Sequence, residues 1–165
     1  MRSSVVRLAP TVHGPGDYGF IAMLVDIARK TGTSAYIGDG SNRWSAVHRL
    51  DAATLFRLAL EKAPAGSVLH GAAESGVEFR RIAETIARGP DIPAVSLTPD
   101  EAAEHFSPFL ATVYGVAGPA SSRRTREMLG WSPSHPTLLE DIEDGDYLTP
   151  PTSSPGDSRG PALRV

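Results

Sequence analysis

The side chains best suited to chemistry lie in two short stretches. One runs from Gly38 to Asp51 and reads Gly-Asp-Gly-Ser-Asn-Arg-Trp-Ser-Ala-Val-His-Arg-Leu-Asp. Glycine tolerates positive φ and aspartate hydrogen-bonds its own backbone, so the start of this stretch suits a tight turn. Arg43 then offers a planar, forked cation for an anionic or polyhydroxyl group, Trp44 a flat ring, and His48 a group that titrates near neutrality. Together they read as a substrate-side loop between a short apolar strand and an amphipathic helix, with Asp51 as the N-cap of that helix.

The second stretch is Pro10-Thr-Val-His13-Gly-Pro-Gly16-Asp-Tyr-Gly19, which satisfies G-x-G-x-x-G ahead of a helical pattern. A dinucleotide-binding turn needs its glycines directly after the strand and free amides facing phosphate. Here Gly14 lies six positions beyond Leu8, and Pro15 removes an amide, so the segment reads as a plain glycine-proline loop. His70 sits within an apolar run and reads as packed. Asp100, Glu101, Glu104 and His105 suggest a metal site, but they lack a second histidine at ligand spacing, and acidic residues in a first helical turn are explained by the helix dipole. Arg123, Arg124 and Arg126 read as a solvated basic face.

The elements that must position these residues alternate. Strands are expected at Val5 to Leu8, Ser34 to Ile37, Ser67 to Ala72 and Ala94 to Leu97, the first buried on both faces. Helices are expected from Phe20 to Thr31, after Asp51, after a turn at Glu74-Ser-Gly76, from Pro99 to Phe106, over Pro108 to Val116, and from Ser122 to Leu129. Their apolar stripes are Phe20, Met23, Leu24, Ile27 and Ala28; then Ala52, Leu55, Phe56, Ala59 and Leu60; then Phe79, Ile82, Ala83 and Ile86. Thr98-Pro-Asp-Glu101 is a capping box with proline at N1. The class is α/β, with few short parallel strands and flanking helices over residues 1–147. From Leu148 onward the chain is rich in proline, serine and glycine, which predicts a disordered tail over 148–165.

Composition narrows the field. Sixteen basic against nineteen acidic residues, a net charge of −3, carry no clustered basic excess and imply no nucleic-acid partner. The absence of cysteine excludes disulfides, thiolate metal sites and cysteine nucleophiles. No signal peptide or membrane span is read from the sequence, which makes the cytoplasm the expected location.

The order Gly38-Asp-Gly-x-x-Arg43, then Val47-His48-x-x-Asp51-Ala-Ala, carries a resemblance. It follows a Val-Arg-Leu strand and Thr11-Val-His-Gly-Pro-Gly16, and precedes a closing Leu129-Gly-Trp131-x-Pro133. In this order the chain resembles, from Ser3 to Tyr147, the C-terminal half of NAD-dependent epimerase/dehydratase proteins, the extended and atypical short-chain dehydrogenases/reductases. The resemblance implies NAD or NADP as cofactor and hydride transfer at a secondary alcohol or ketone carbon of a small-molecule substrate. It also implies that Pro10, Thr11, Val12 and His13 pass the nicotinamide end and that Arg43, Trp44 and His48 line the substrate end. In that family the main cofactor clamp and a Tyr-x-x-x-Lys pair lie upstream, and none of Tyr18, Tyr36, Tyr114 or Tyr147 has a lysine four positions on. The expectation is therefore a substrate-binding half without the N-terminal Rossmann half, inactive alone. Val5 to Leu8 and Val68 to Gly71 would belong to the cofactor sheet, and Ser34 to Ile37 and Ala94 to Leu97 to a substrate lobe. A homodimer or a separately encoded N-terminal half would be the partner, and a non-enzymatic small-molecule-binding remnant is the alternative.

Overall fold

The computed structural model describes residues 3–149. The expected tail falls on residues 150–165, outside the described residues; Leu148 and Thr149 lie within them, and the Arg29 guanidinium donates to the Thr149 carbonyl at 2.9 Å.

The chain alternates short strands with helices. In order come β1 (Val5–Leu8), β2 (Thr11–His13), α1 (Phe20–Thr31), β3 (Ser34–Ile37), β4 (Arg43–His48), α2 (Arg49–Lys62) and β5 (Val68–Gly71). Then follow β6 (Glu74–Glu78), α3 (Phe79–Arg88), β7 (Ala94–Leu97), α4 (Pro99–Phe106), α5 (Pro108–Gly115), α6 (Arg123–Leu129) and α7 (Leu138–Asp144). The strands form three small sheets: β1 parallel to β5, β3 parallel to β7, and β4 between parallel β2 and antiparallel β6. Val5 pairs in register with Val68 and Ser34 with Ala94, so the strands expected to belong together share a sheet in each case.

Three strands were not expected. Thr11–His13, Arg43–His48 and Glu74–Glu78 had read as loop, loop and turn, and they pair with one another across the middle of the chain. Their short, mixed sequences lack clean alternation, and only long-range partners make them strands.

Two cores flank this middle sheet. Trp44, Phe79 and Tyr114 centre the first, with α1, α3, α4 and α7 around them; Val47, Leu55, Leu69 and Trp131 centre the second, under α2 and α6. Trp44 is packed edge-to-face against Phe79 at 5.3 Å and donates its indole N–H to the Val116 carbonyl at 2.8 Å. A buried aromatic of this kind is worth roughly 3–5 kcal/mol against truncation.

Caps at Thr98, Gly32 and Gly130 are set by local residues. Thr98 and Glu101 form the reciprocal capping box, and Gly32 and Gly130 take left-handed C-caps. The α3 stripe is buried as expected, and those of α1 and α2 are shifted by one or two positions. Ile21, Leu24, Val25 and Ala28 face inward on α1 while Met23 is largely exposed; on α2, Leu58 is buried and Phe56 and Leu60 face solvent. On α6 Leu129 is buried as expected but Met128 is not. β1 is also corrected: Val5 remains 55% exposed because only one face of the β1–β5 pair is covered, and Leu8, on the covered face, remains 41% exposed at the unpaired edge of β1.

Gly40 carries a backbone requirement. It sits at φ +67°, and a Cβ there would lie 2.6 Å from the Arg80 Cβ and 2.7 Å from the Tyr36 ring. Gly40→Ala is therefore expected to cost about 2–4 kcal/mol from combined left-handed strain and overpacking, read as a lowered urea midpoint. Gly38→Ala, at φ +59° with open space around it, should lose only about 1–2 kcal/mol.

Candidate functional site

The expected substrate residues do not converge. Arg43 and His48 stand at opposite ends of β4, and Trp44 lies in the first core at 2% exposure with its indole N–H already bonded. Trp44 is thus a packing residue, not a free ring beside a ligand. Arg43 stays accessible at the edge of a cleft of about 580 Å³ that also involves Glu78, Arg81 and Thr137. Its guanidinium pairs with the Glu78 carboxylate across the β4–β6 ladder and donates to the Gly76 carbonyl at 3.2 Å.

What the fold does bring together is a file of three imidazoles ended by two carboxylates. β2 and β4 run in parallel register with His13 opposite His48, and their rings meet edge-to-face at 5.5 Å. His13 is buried, and its Nδ1 donates to the Asp141 carboxylate at 2.8 Å. On the other side His135 stacks on His48 at 4.9 Å with the ring planes nearly parallel, and its Nδ1 donates to Asp51 at 2.8 Å. His48 stands between, without a carboxylate of its own. Its Nδ1 accepts the Leu50 amide at 3.2 Å, so His48 itself caps α2.

Asp51 therefore takes a different role from the cap expected of it. α2 begins two residues earlier, and the Asp51 carboxylate, buried in the first turn, accepts the amides of Ser134 and His135 at 3.1 Å each. Burial alone would raise its pKa; the His135 side chain and these two amides outweigh that and hold it below the ordinary value. Burial, followed by the proximity of His13, pushes His48 below the ordinary imidazole value. Two buried polar atoms on the same face of β2, Thr11 Oγ1 and His13 Nε2, have no hydrogen-bond partner among the described residues.

The glycine loop after β2 is filled from within. The Gly14 amide donates to the Tyr147 hydroxyl at 3.3 Å, Gly16 to the Asp146 carboxylate at 3.0 Å, and Gly19 to the Asp17 side chain at 2.7 Å. Tyr147 in turn donates to Asp17 at 2.7 Å, and burial together with that carboxylate raises its pKa. Amides already bonded, with two carboxylates among the partners, do not fit a pyrophosphate. Of the four residues expected at the nicotinamide end, Pro10 is exposed and Val12 half-buried, whereas Thr11 and His13 turn inward.

Sequence reasoning missed Asp141, His135 and Tyr147. A signal existed for the first: Thr137-Leu-Leu-Glu140 is a second capping box, fully formed, and it opens α7 with Leu138 and Ile142 inward and Asp141 beside them. Nothing local marks His135 or Tyr147 as partners of residues more than eighty positions away. Among the described residues, no group of three or more histidines and carboxylates has metal-binding geometry. Asp100 and Glu101 instead occupy the first turn of α4, where Glu101 completes the capping box.

The chain is 50% identical over 148 residues to the uncharacterised protein C2A9.02 of Schizosaccharomyces pombe, covering 90% of this chain and 50% of that protein. It is 47% identical over 138 residues to the uncharacterised protein YLL056C of Saccharomyces cerevisiae, covering 84% of this chain and 46% of that one. The chain thus spans about half the length of these curated relatives. No family model matches. Among solved structures, DesIV, a dTDP-glucose 4,6-dehydratase of Streptomyces venezuelae with NAD bound, superposes with a TM-score of 0.66 at 15% identity, over 88% of this chain and 42% of that one. The UDP-glucuronic acid 4-epimerase of Bacillus cereus, in complex with UDP-glucuronic acid and NAD, gives 0.63 at 18%, over 87% and 43%. RMD of Pseudomonas aeruginosa, bound to NADPH, gives 0.62 at 18%, over 89% and 48%. The fold is α/β and matches the C-terminal part of Rossmann-type short-chain dehydrogenase and epimerase structures.

The depressed pKa values predict how stability responds to acid. A histidine whose folded pKa lies below 6.5 takes up protons more readily when unfolded, so its contribution is intact above 6.5 and falls as pH drops below it. His105, lowered by burial beside Phe106, acts in the same window, and Asp51 adds a further loss below about pH 4. Urea midpoints should decline from pH 7 to pH 5. His48→Asn, which keeps an acceptor for the Leu50 amide, should flatten that slope in part, and a His48→Asn/His105→Gln double variant further; an unchanged slope would count against this assignment.

Proposed function

We propose that this chain is the substrate-side half of an NAD(P)-dependent oxidoreductase or epimerase of the short-chain dehydrogenase type. The observation that carries this reading is the fold match over nearly nine-tenths of the chain to dehydratases and epimerases whose own chains are more than twice as long as the matched part. The yeast relatives, also about twice the matched length, are consistent with a second half that holds the cofactor.

In this reading the chemistry is hydride transfer between nicotinamide and a secondary alcohol or ketone carbon of a small molecule, in the cytoplasm. The chain itself has no fit for the cofactor's pyrophosphate, since the Gly14 to Gly19 amides are bonded internally. Pro10 and Val12 are its accessible contribution at the nicotinamide end. Arg43 is its contribution at the substrate end, where an anionic group would replace Glu78 on the guanidinium with charge-assisted hydrogen bonds. His48, at the opposite end of β4 from Arg43, caps α2 and does not line the Arg43 cleft.

A second reading, a small-molecule-binding remnant without chemistry, rests on the tyrosines. Tyr114 and Tyr147 are buried with raised pKa values, Tyr114 donating to the Phe20 carbonyl and Tyr147 to Asp17, so neither hydroxyl is free to move a substrate proton.

Calorimetric titration with NADH and NADPH separates these possibilities. The 165-residue chain alone should bind neither at micromolar affinity. A chimera in which it replaces the matched half of the S. pombe relative should bind one of them, and Arg43→Ala in that chimera should leave cofactor affinity unchanged. Micromolar binding by the monomeric chain alone would overturn the half-enzyme reading, and a folded chimera without affinity for either cofactor would favour the remnant.

A further inference from the structure

The three arginines of α6, a single solvated face by sequence, take different places in the fold. Arg126 is committed to the structure: it donates to the Ala73 carbonyl at 2.7 Å and to Ser122 Oγ at 3.0 Å, and its guanidinium lies over the Trp131 ring at 5.6 Å. Arg123 and Arg124 instead line a groove of about 480 Å³ between β5 and α6, together with Val68, His70, Ser121 and Met128. Arg123 lies 3.7 Å from Glu127 with both side chains largely exposed, a weak pair. Arg124 forms no ion pair among the described residues.

The groove has one apolar side and polar groups of one sign. Val68 and Met128 supply the apolar side and are 51% and 48% exposed. The His70 amide donates to Thr125 Oγ1 at 2.8 Å and its Nδ1 donates to the Ser121 carbonyl at 3.2 Å, which fixes the ring and leaves Nε2 uncommitted among the described residues. Arg7 stands opposite His70 in the β1–β5 register and so shares its face, again with no ion pair among the described residues. No carboxylate lines this groove, whereas Glu74 and Glu78 line the Arg43 cleft and Asp17, Asp26 and Asp146 line the one beside Arg29. On a chain of net charge −3 this is a local reversal of sign. An apolar wall with a few convergent polar groups, at this volume, is the make-up of a small-ligand cleft.

We propose that the β5–α6 groove binds a small organic anion, its apolar body lying on Val68 and Met128 and its carboxylate or phosphate held by Arg123 and Arg124, with His70 Nε2 as a further hydrogen-bonding group. Guanidinium forks match either head group. A bare inorganic anion would leave the apolar wall in water, and a nucleic acid requires a longer run of cations than this face carries. The groove lies along the edge of β5 that faces away from β1 and shares no lining residue with the Arg43 cleft, so the proposal does not depend on the half-enzyme reading.

The test is nuclear magnetic resonance of the 165-residue chain titrated with phenyl phosphate and with benzoate, and with inorganic phosphate and phenol as the separate halves of such a ligand. At least one of the two organic anions should give saturable shifts centred on the His70 and Thr125 amides and the Met128 methyl group, and should bind at least tenfold more tightly than inorganic phosphate or phenol. The double variant Arg123→Gln/Arg124→Gln should weaken that binding at least tenfold, and Met128→Gln should weaken it less. Arg57→Gln, on the exposed surface of α2, should leave it unchanged; circular dichroism checks that each variant folds. No saturation by either organic anion, shifts scattered over the surface, equal binding of inorganic phosphate, or an affinity unmoved by the double arginine variant would each overturn the proposal.

Discussion

The structure depends on β4 being shared. One strand of six residues sends Trp44 into the first core and Val47 into the second, pairs with β2 on one side and β6 on the other, and ends in the histidine that starts α2. Trp44 has nowhere else to go: its indole N–H is bonded to Val116 and its faces are packed by Phe20, Phe79 and Tyr114. Once the ring is seated, pleat alternation and the irregularity between Trp44 and Ala46 decide what the rest of the strand presents to each side.

That placement explains why the polar centre lies where it does. His48 enters at the end of β4 opposite His13, and two segments from the far end of the chain, Ser134 to His135 and α7, close on them through Asp51 and Asp141. Each outer imidazole has a carboxylate, and the middle one has a backbone amide and two rings. Burying such a set is tolerable because the Nδ1 of each imidazole and both carboxylates are matched. The unmatched Thr11 Oγ1 and His13 Nε2 lie on the β2 face, where a deleted partner is costly and a supplied one is rewarded. The same closure seals the glycine loop, since α7 leads straight into Asp146 and Tyr147, which take its amides.

Legibility followed the range of the interactions. The helices of 20–31, 79–88 and 99–106 were readable because caps, proline at N1 and 3.6-residue stripes are local, as the Thr98 box and the Phe79, Ile82, Ala83, Ile86 stripe demonstrate. The pairings of β1 with β5 and β3 with β7 were readable only through a resemblance in the order of motifs. The three strands of the middle sheet were not readable, because Thr11–His13 and Glu74–Glu78 have no pattern of their own and become strands by bonding to β4. Asp51 was misassigned for a related reason: an aspartate near a helix start looks like a cap, and its true partners are more than eighty residues ahead.

By itself the sequence determined the α/β class, the helix boundaries set by caps and glycines, the absence of cysteine chemistry and the stretch within which Arg43 would be accessible. These are properties of composition and of neighbours within a few positions, and they survive without any knowledge of the fold. Which of Arg43, Trp44 and His48 faces outward, which carboxylate meets which histidine, and whether the glycine amides are free for a phosphate were decided by tertiary packing. The physical reason is that a buried polar group takes whichever partner the closed core brings to it, and that partner can come from anywhere in the chain.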